Sequence, residues 1–203
     1  MKRLFVVGDS ISMHYGPYLQ QYTEGRFLYD RKRGSPGLSA KEDLDNPSVG
    51  SNGGDSRMVL QYLQKEPKAL DCDVFLFNCG LHDIKIDLQT GALQVSLDEY
   101  KANLEAICLL LAKRPLRPVW VRSTPVDDIR HAERQKNFGR KNADLEKYNA
   151  VAGEIMERYH IPEIDLYGFT KNLGPDVYLD HIHYIEDVRR LHAAFIAGGV
   201  LRF

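Results

Sequence analysis

LFVVGDS, residues 4–10, decides how the rest of the chain is read. Its four consecutive apolar residues suit a short strand covered on both faces, as strands are in a parallel sheet. The run then stops on Gly8, a carboxylate at Asp9 and a hydroxyl at Ser10. Local chemistry leaves two roles open for Ser10: the N-cap of the next helix, or a nucleophile held at a strand tip.

The same layout repeats along the chain. RFLYD (26–30), DVFLFNCG (73–80), PVWVRSTP (118–125) and PEIDLY (162–167) read as further strands followed by glycine, proline or polar residues. Residues 14–22 read as a first helix, and a second starts at Asp55 or Ser56 and carries Val59, Leu60 and Leu63 at helical spacing. Residues 97–111 make a strong helix with Asp98 and Glu99 at its positive end, and residues 141–159 and 185–198 supply the last two. Residues 33–54, rich in Gly, Ser, Pro and Asn, read as a long functional loop, and residues 127–140 as an exposed charged loop or lid. Strands alternating with helices imply a three-layer α/β/α domain with a parallel sheet of about five strands and right-handed crossovers. Residues 1–203 are expected to form this one domain, with any site beyond the carboxyl ends of the strands.

Composition narrows the function classes. With 27 basic and 28 acidic side chains the net charge is -1, so no global field attracts nucleic acid or an anionic membrane, and a small-molecule substrate is expected. Hydrophobic residues at 43% and charged residues at 27% are ordinary globular values that do not indicate disorder. Cys72, Cys79 and Cys108 lack metal-ligand spacing and read as free thiols in or beside apolar segments. The N-terminus has no signal-peptide core and no run is long enough to span a membrane, so a cytoplasmic location is the expectation; a chain trimmed of its leader would read the same. Composition leaves the oligomeric state open.

Four stretches carry candidate chemistry: GDS at 8–10, NGGDS at 52–56, NCGLHD at 78–83 and DHIH at 180–183. A serine hydroxyl needs a base within hydrogen-bond reach and a third group that orients the base. Asp180 and His183 meet that need, because a carboxylate three residues before a histidine in a turn can fix one imidazole tautomer while the other nitrogen faces the serine. His181 is the competing base, but beside Asp180 in an extended turn it points away. In the plainer reading DHIH is a polar helix-entry loop with Asp180 as its cap.

In their order, these blocks resemble the SGNH hydrolases, the GDSL-type esterases and lipases, over nearly the whole chain from Gly8 to His183. The resemblance implies a flavodoxin-like SGNH hydrolase fold and a carboxylic ester hydrolase that needs no cofactor and no metal. It carries Ser10 over as nucleophile and first oxyanion donor, Gly54 as a second backbone donor with Gly53 as the fallback, and Asp180 and His183 as orienter and base. The third block departs from the family pattern: GLHD places His82 where the family has an asparagine donor. A histidine donates through one ring nitrogen if the tautomer is fixed or the ring is protonated. Asn78 is the alternative donor, and a loop-internal hydrogen bond is the plainer role for His82. The family's aspartate at position 9 is structural and is left out of the catalytic set.

The acyl group is expected to be short, such as acetyl on a carbohydrate, because the loop at 33–54 is polar and no apolar lid is apparent. Arg57, Arg122 and the cluster Arg130, His131, Arg134, Lys136, Arg140 and Lys141 could bind an acidic substrate or form a lid, although such a charge run is most simply a solvated face. Two other functions fit parts of the pattern. A metallophosphoesterase would use Asp9, His82, Asp83, His181 and His183 as ligands but gives Ser10 nothing to do. A non-catalytic binding module on the same scaffold would leave Ser10 unreactive.

Overall fold

The computed structural model describes residues 1–202. Five parallel strands, β1 (Lys2–Val7), β2 (Phe27–Arg31), β3 (Val74–Phe77), β4 (Arg117–Val121) and β5 (Glu163–Ile164), stand in the order β2-β1-β3-β4-β5. Leu4 pairs with Val74 and Val7 with Phe77, while Lys2 pairs with Phe27 on the other side of β1. Chain direction across the sheet reverses between β1 and β3, so the crevice beyond their carboxyl ends is the switch point at which such folds bind ligands. GDS and NCGLHD emerge there.

Eight α-helices, α1 (Ser10–Tyr22), α2 (Ala40–Asp45), α3 (Ser56–Lys65), α4 (Leu97–Leu111), α5 (Asp128–Arg134), α6 (Asn142–Arg158), α7 (Leu166–Lys171) and α8 (Glu186–Val200), and one 3-10 turn (Pro67–Leu70) complete the described chain. With right-handed crossovers, α1 lies on one face and α3, α4 and α6 on the other. Accordingly α1 packs on α8, and α4 packs between α3 and α6. The sheet is buried between the two layers: all four residues of β3 are inaccessible, and the Trp120 ring meets Phe77 edge-on at 5.1 Å. The core is continuous from Leu4 to Val200.

Several local expectations are corrected. The first helix begins at Ser10 rather than at residue 14, because the Asp9 carboxylate accepts the Ile11 N–H at 3.0 Å and nucleates the first turn. The loop at 33–54 contains α2, started by a capping box between Ser39 and Glu42. The charged segment at 127–140 contains α5, capped by Asp127, and it is not simply a solvated face: His131 and Arg140 are buried. The last strand keeps only two residues, because Asp165 caps α7 through the Gly168 N–H and turns the chain away from the sheet. The three cysteines are free, with Cys79 and Cys108 buried and Cys72 half-buried. Among the described residues no helix is long and apolar enough to cross a membrane.

Candidate active site

Ser10 is the first residue of α1, and Asp9, not Ser10, caps that helix. The serine hydroxyl is thus released from the local role that its sequence position allowed. Its Oγ lies 2.8 Å from Nε2 of His183, and Nδ1 of His183 lies 2.7 Å from Oδ2 of Asp180. Oδ1 of Asp180 accepts the amides of Ile182 and His183, both at 2.8 Å, so a tight turn clamps the carboxylate against the ring. Partial burial pushes the Asp180 carboxyl up, but the hydrogen bonds from the His183 ring and from the two amides outweigh it and hold it well below the usual carboxylate range. A carboxylate on Nδ1 selects, in the neutral ring, the tautomer whose Nε2 faces the serine as an acceptor.

The loop that carries this pair is itself fixed. Leu179 and His183 close a backbone bond of 2.7 Å, and the hydroxyls of Tyr178 and Tyr184 both donate to the Pro125 carbonyl just past β4. His181, the competing base, has its Nδ1 3.6 Å from Asp180 Oδ1, while the Ser10 hydroxyl bonds to His183; the His181 ring sits 5.2 Å from His131. One neighbour escaped the sequence reading: His14 meets the His183 ring edge-on at 4.8 Å. Burial and the His183 charge push His14 down to about 4, so it packs against the base as a neutral ring. Its spacing from Ser10, one helical turn, was the available signal.

The candidate oxyanion donors lie around the strand tips. The Gly53 N–H donates to the Gly8 carbonyl at 2.8 Å, tying the second block to the end of β1. The Gly54 N–H donates to the Asn52 side-chain oxygen at 2.9 Å, within a turn where Gly54 has φ +74°. Asn78 donates its amide to Ser123 at 3.0 Å and also receives the Asp9 N–H, so it stitches β1 to β4. His82 is buried, its Nε2 lies 3.5 Å from the Asn52 amide nitrogen, and its Nδ1 is enclosed without a partner. Because the amide nitrogen only donates, Nε2 is the acceptor and the proton sits on Nδ1. Burial, reinforced by the Lys85, Arg140 and His183 charges, pushes His82 well below the ordinary histidine value and keeps the ring neutral.

Asp83 accepts the Ser56 N–H at the start of α3, at 2.9 Å, and Asp55 caps the same helix through Met58. With Asp9 capping α1, two of the five candidate metal ligands, Asp9 and Asp83, are engaged in structural bonds, and among the described residues no three His, Cys, Asp or Glu side chains are gathered to hold a metal ion.

Known proteins agree with this architecture. The acetyl xylan esterase AlAXEase superposes with a TM-score of 0.72 at 13% identity, covering 98% of this chain and 99% of its own. A lipase/acylhydrolase from Enterococcus faecalis gives 0.73 at 16%, covering 98% and 95%, and the psychrotrophic esterase EstA from Pseudoalteromonas sp. gives 0.67 at 12%, covering 100% and 98%. At these identities the likeness is one of fold. A search of the curated proteins finds no match. The family model of the GDSL-like lipase/acylhydrolases matches residues 4–194, and the chain belongs to that family of carboxylic ester hydrolases.

Proposed function

We propose that Ser10 is the nucleophile of this hydrolase, His183 its general base and Asp180 the group that orients the base. The observation that carries the reading is the unbroken relay of 2.8 and 2.7 Å from hydroxyl to imidazole to carboxylate. His183 removes the hydroxyl proton as Ser10 attacks the acyl carbon, and Asp180 steadies the imidazolium that results. The same ring then returns its proton to the departing alcohol. Water, deprotonated by His183 in turn, releases the acyl group and restores Ser10.

The Ser10 and Gly54 amides and Nδ1–H of His82 are the proposed donors to the oxyanion. The enclosed, unpartnered Nδ1 supports His82, since a buried donor without an acceptor costs about 1–3 kcal/mol unless something fills it. Gly54 is favoured over Gly53 because its amide donates to a side-chain oxygen, that of Asn52, whereas the Gly53 amide donates to backbone.

The proposed substrate carries a short acyl group, acetyl above all, on a polar carrier such as a carbohydrate. The polar rings beside the base support this: His14 lies 4.8 Å and His181 6.0 Å from the His183 ring. A structural neighbour that is an acetyl xylan esterase fits the same reading. The test is Ser10→Ala, which should remove at least about 10⁴-fold of the turnover of an aryl acetate and all labelling by a fluorophosphonate probe while far-UV circular dichroism is unchanged. Turnover at the wild-type rate in that variant would dismiss the mechanism. Acetyl esters should be cleaved faster than octanoyl esters, and the reverse order would dismiss the short-acyl reading.

A further inference from the structure

Two cations, Lys85 and Arg140, reach the Ser10–His183 pair through a chain of ring contacts and have no ion-pair partner among the described residues. Ile86 and Gly139 form an antiparallel bridge with reciprocal bonds of 2.9 Å, and this bridge brings Lys85 next to Phe138 and Arg140. The Lys85 ammonium and the Arg140 guanidinium each lie 4.8 Å from the centre of the Phe138 ring. Phe138 in turn lies 6.4 Å from the His181 ring, and His181 lies 6.0 Å from the His183 ring. The cations are therefore linked to the base through two rings, Phe138 and His181.

Arg140 is only 6% exposed. Its Nε donates to the Leu81 carbonyl, next to His82, at 2.6 Å, but Nη1 is enclosed with no acceptor. Among the described residues no carboxylate comes within ion-pair distance of Arg140 or Lys85. The nearest attractive charges on Arg140 are Asp9 and Asp180, whose oxygens are directed elsewhere: Asp9 Oδ1 to the Ile11 amide, and Asp180 to His183 and Ile182, leaving only the enclosed Asp9 Oδ2 unpartnered. Lys85 feels Asp55 and Asp45 only at a distance. Burial and the neighbouring Arg140 push Lys85 down to about 8, as two like charges sharing one ring without an anion require. A buried charge is costly unless it is paired and hydrogen-bonded, so an unpaired, buried guanidinium is chemically suited to receive an anion.

We propose that Arg140 and Lys85 form an anion subsite that receives a carboxylate or phosphate on the carrier of the scissile ester, making these two residues specificity determinants for acidic substrates. The inference rests on the ester-hydrolase reading of the same site and names the class of carrier. Arg140 would bind the anion through its free Nη groups, Lys85 would add a second charge, and Phe138 would hold both cations in place.

The experiment has a binding arm and a turnover arm. In the first, methyl glucuronoside and glucose 6-phosphate serve as carboxylate and phosphate probes and methyl glucoside as the neutral control, with binding to wild-type protein measured by calorimetry. Either acidic probe should bind at least about tenfold more tightly than the neutral one, and Lys85→Met should reduce that preference several-fold. In the second, an O-acetylated methyl glucuronoside is compared with the same compound methylated on its carboxylate. The ratio of their kcat/KM values should favour the acid at least about tenfold and fall toward one in Lys85→Met and Arg140→Met. If Arg140→Met does not fold, Lys85→Met at its half-buried position decides alone. Equal binding of the acidic and neutral probes overturns the subsite whatever the turnover arm gives. So does an Arg140→Met variant that slows both esters in proportion, since Arg140 would then be only a counter-charge for Asp9. Normal cleavage with no charge preference removes the subsite and leaves the esterase mechanism standing; charge-selective binding without turnover or Ser10 labelling does the opposite.

Discussion

A single imidazole, His82, shows how far residue identity could be read from the chain and where geometry was needed. The sequence placed it where the family has an asparagine but left open whether a fixed tautomer or a protonated ring supplied the donor. Burial, with the Lys85 and Arg140 charges nearby, disfavours the protonated form, and the Asn52 amide nitrogen beside Nε2 favours the tautomer with its proton on Nδ1. An asparagine at this position also presents N–H groups, so His82→Asn should keep kcat/KM for an aryl acetate within about tenfold, whereas His82→Leu should lose about 10²–10³-fold, the usual cost of one oxyanion donor. A leucine variant as active as wild type would make His82 a structural loop residue. The meeting of Ser10, Asp180 and His183 was legible because a serine with a base needs a third group to orient that base, and Asp180 stands three residues before His183 in one turn. Arg140 was not, because a guanidinium in a charged stretch looks solvated until the Ile86–Gly139 bridge folds it inward.

At the scale of elements, caps and turns account for most of what the periodicity missed. Apolar spacing located α3, α4, α6 and α8, but short helices such as α2, α5 and α7 depend on one side-chain cap each and have too few turns to show a face. The turn from residue 50 to residue 55 is a second such case. Lys32, buried, donates to the carbonyls of Gly50 and Asn52, and so anchors the backbone that presents Gly54. Gly54 has φ +74°, and a Cβ there would lie 2.5 Å from Met58 Sδ and 2.9 Å from Pro47 Cβ. Gly54→Ala should therefore destabilise by about 1–2 kcal/mol from the backbone conformation alone, lowering Tm by about 2–8 °C, and should lower kcat more than it raises KM if the amide serves the oxyanion. Thermal unfolding with steady-state kinetics checks both; a changed KM at constant kcat would assign the turn to substrate binding instead.

The strand order of the whole molecule, β2-β1-β3-β4-β5, was not written in any one segment; alternation gave a parallel sheet, and only the assembled registers placed the switch point between β1 and β3. What holds the two halves of the site together there is a carboxyl group. Asp83 follows the third strand, yet it accepts the amide that opens α3, and its second oxygen is enclosed without a partner. Burial raises Asp83 from 3.8 to about 7, against the lowering effect of the Ser56 bonds. Between those two values the folded protein keeps a proton that the unfolded chain has released, so this group's contribution is complete below the unfolded value and is lost as pH rises through the folded one. Over that window it lowers the unfolding free energy by up to about 1.4 kcal/mol per pH unit. Asparagine keeps an acceptor for the Ser56 amide and cannot ionise, so Asp83→Asn should gain stability relative to wild type steadily from acid to neutral pH. Denaturant unfolding at half-unit steps from pH 4 to pH 8 reads the difference between the two curves, in which every other titrating group cancels. Parallel curves would mean that Asp83 ionises freely in the fold and that the junction between β3 and α3 is held by hydrogen bonds to a charged carboxylate.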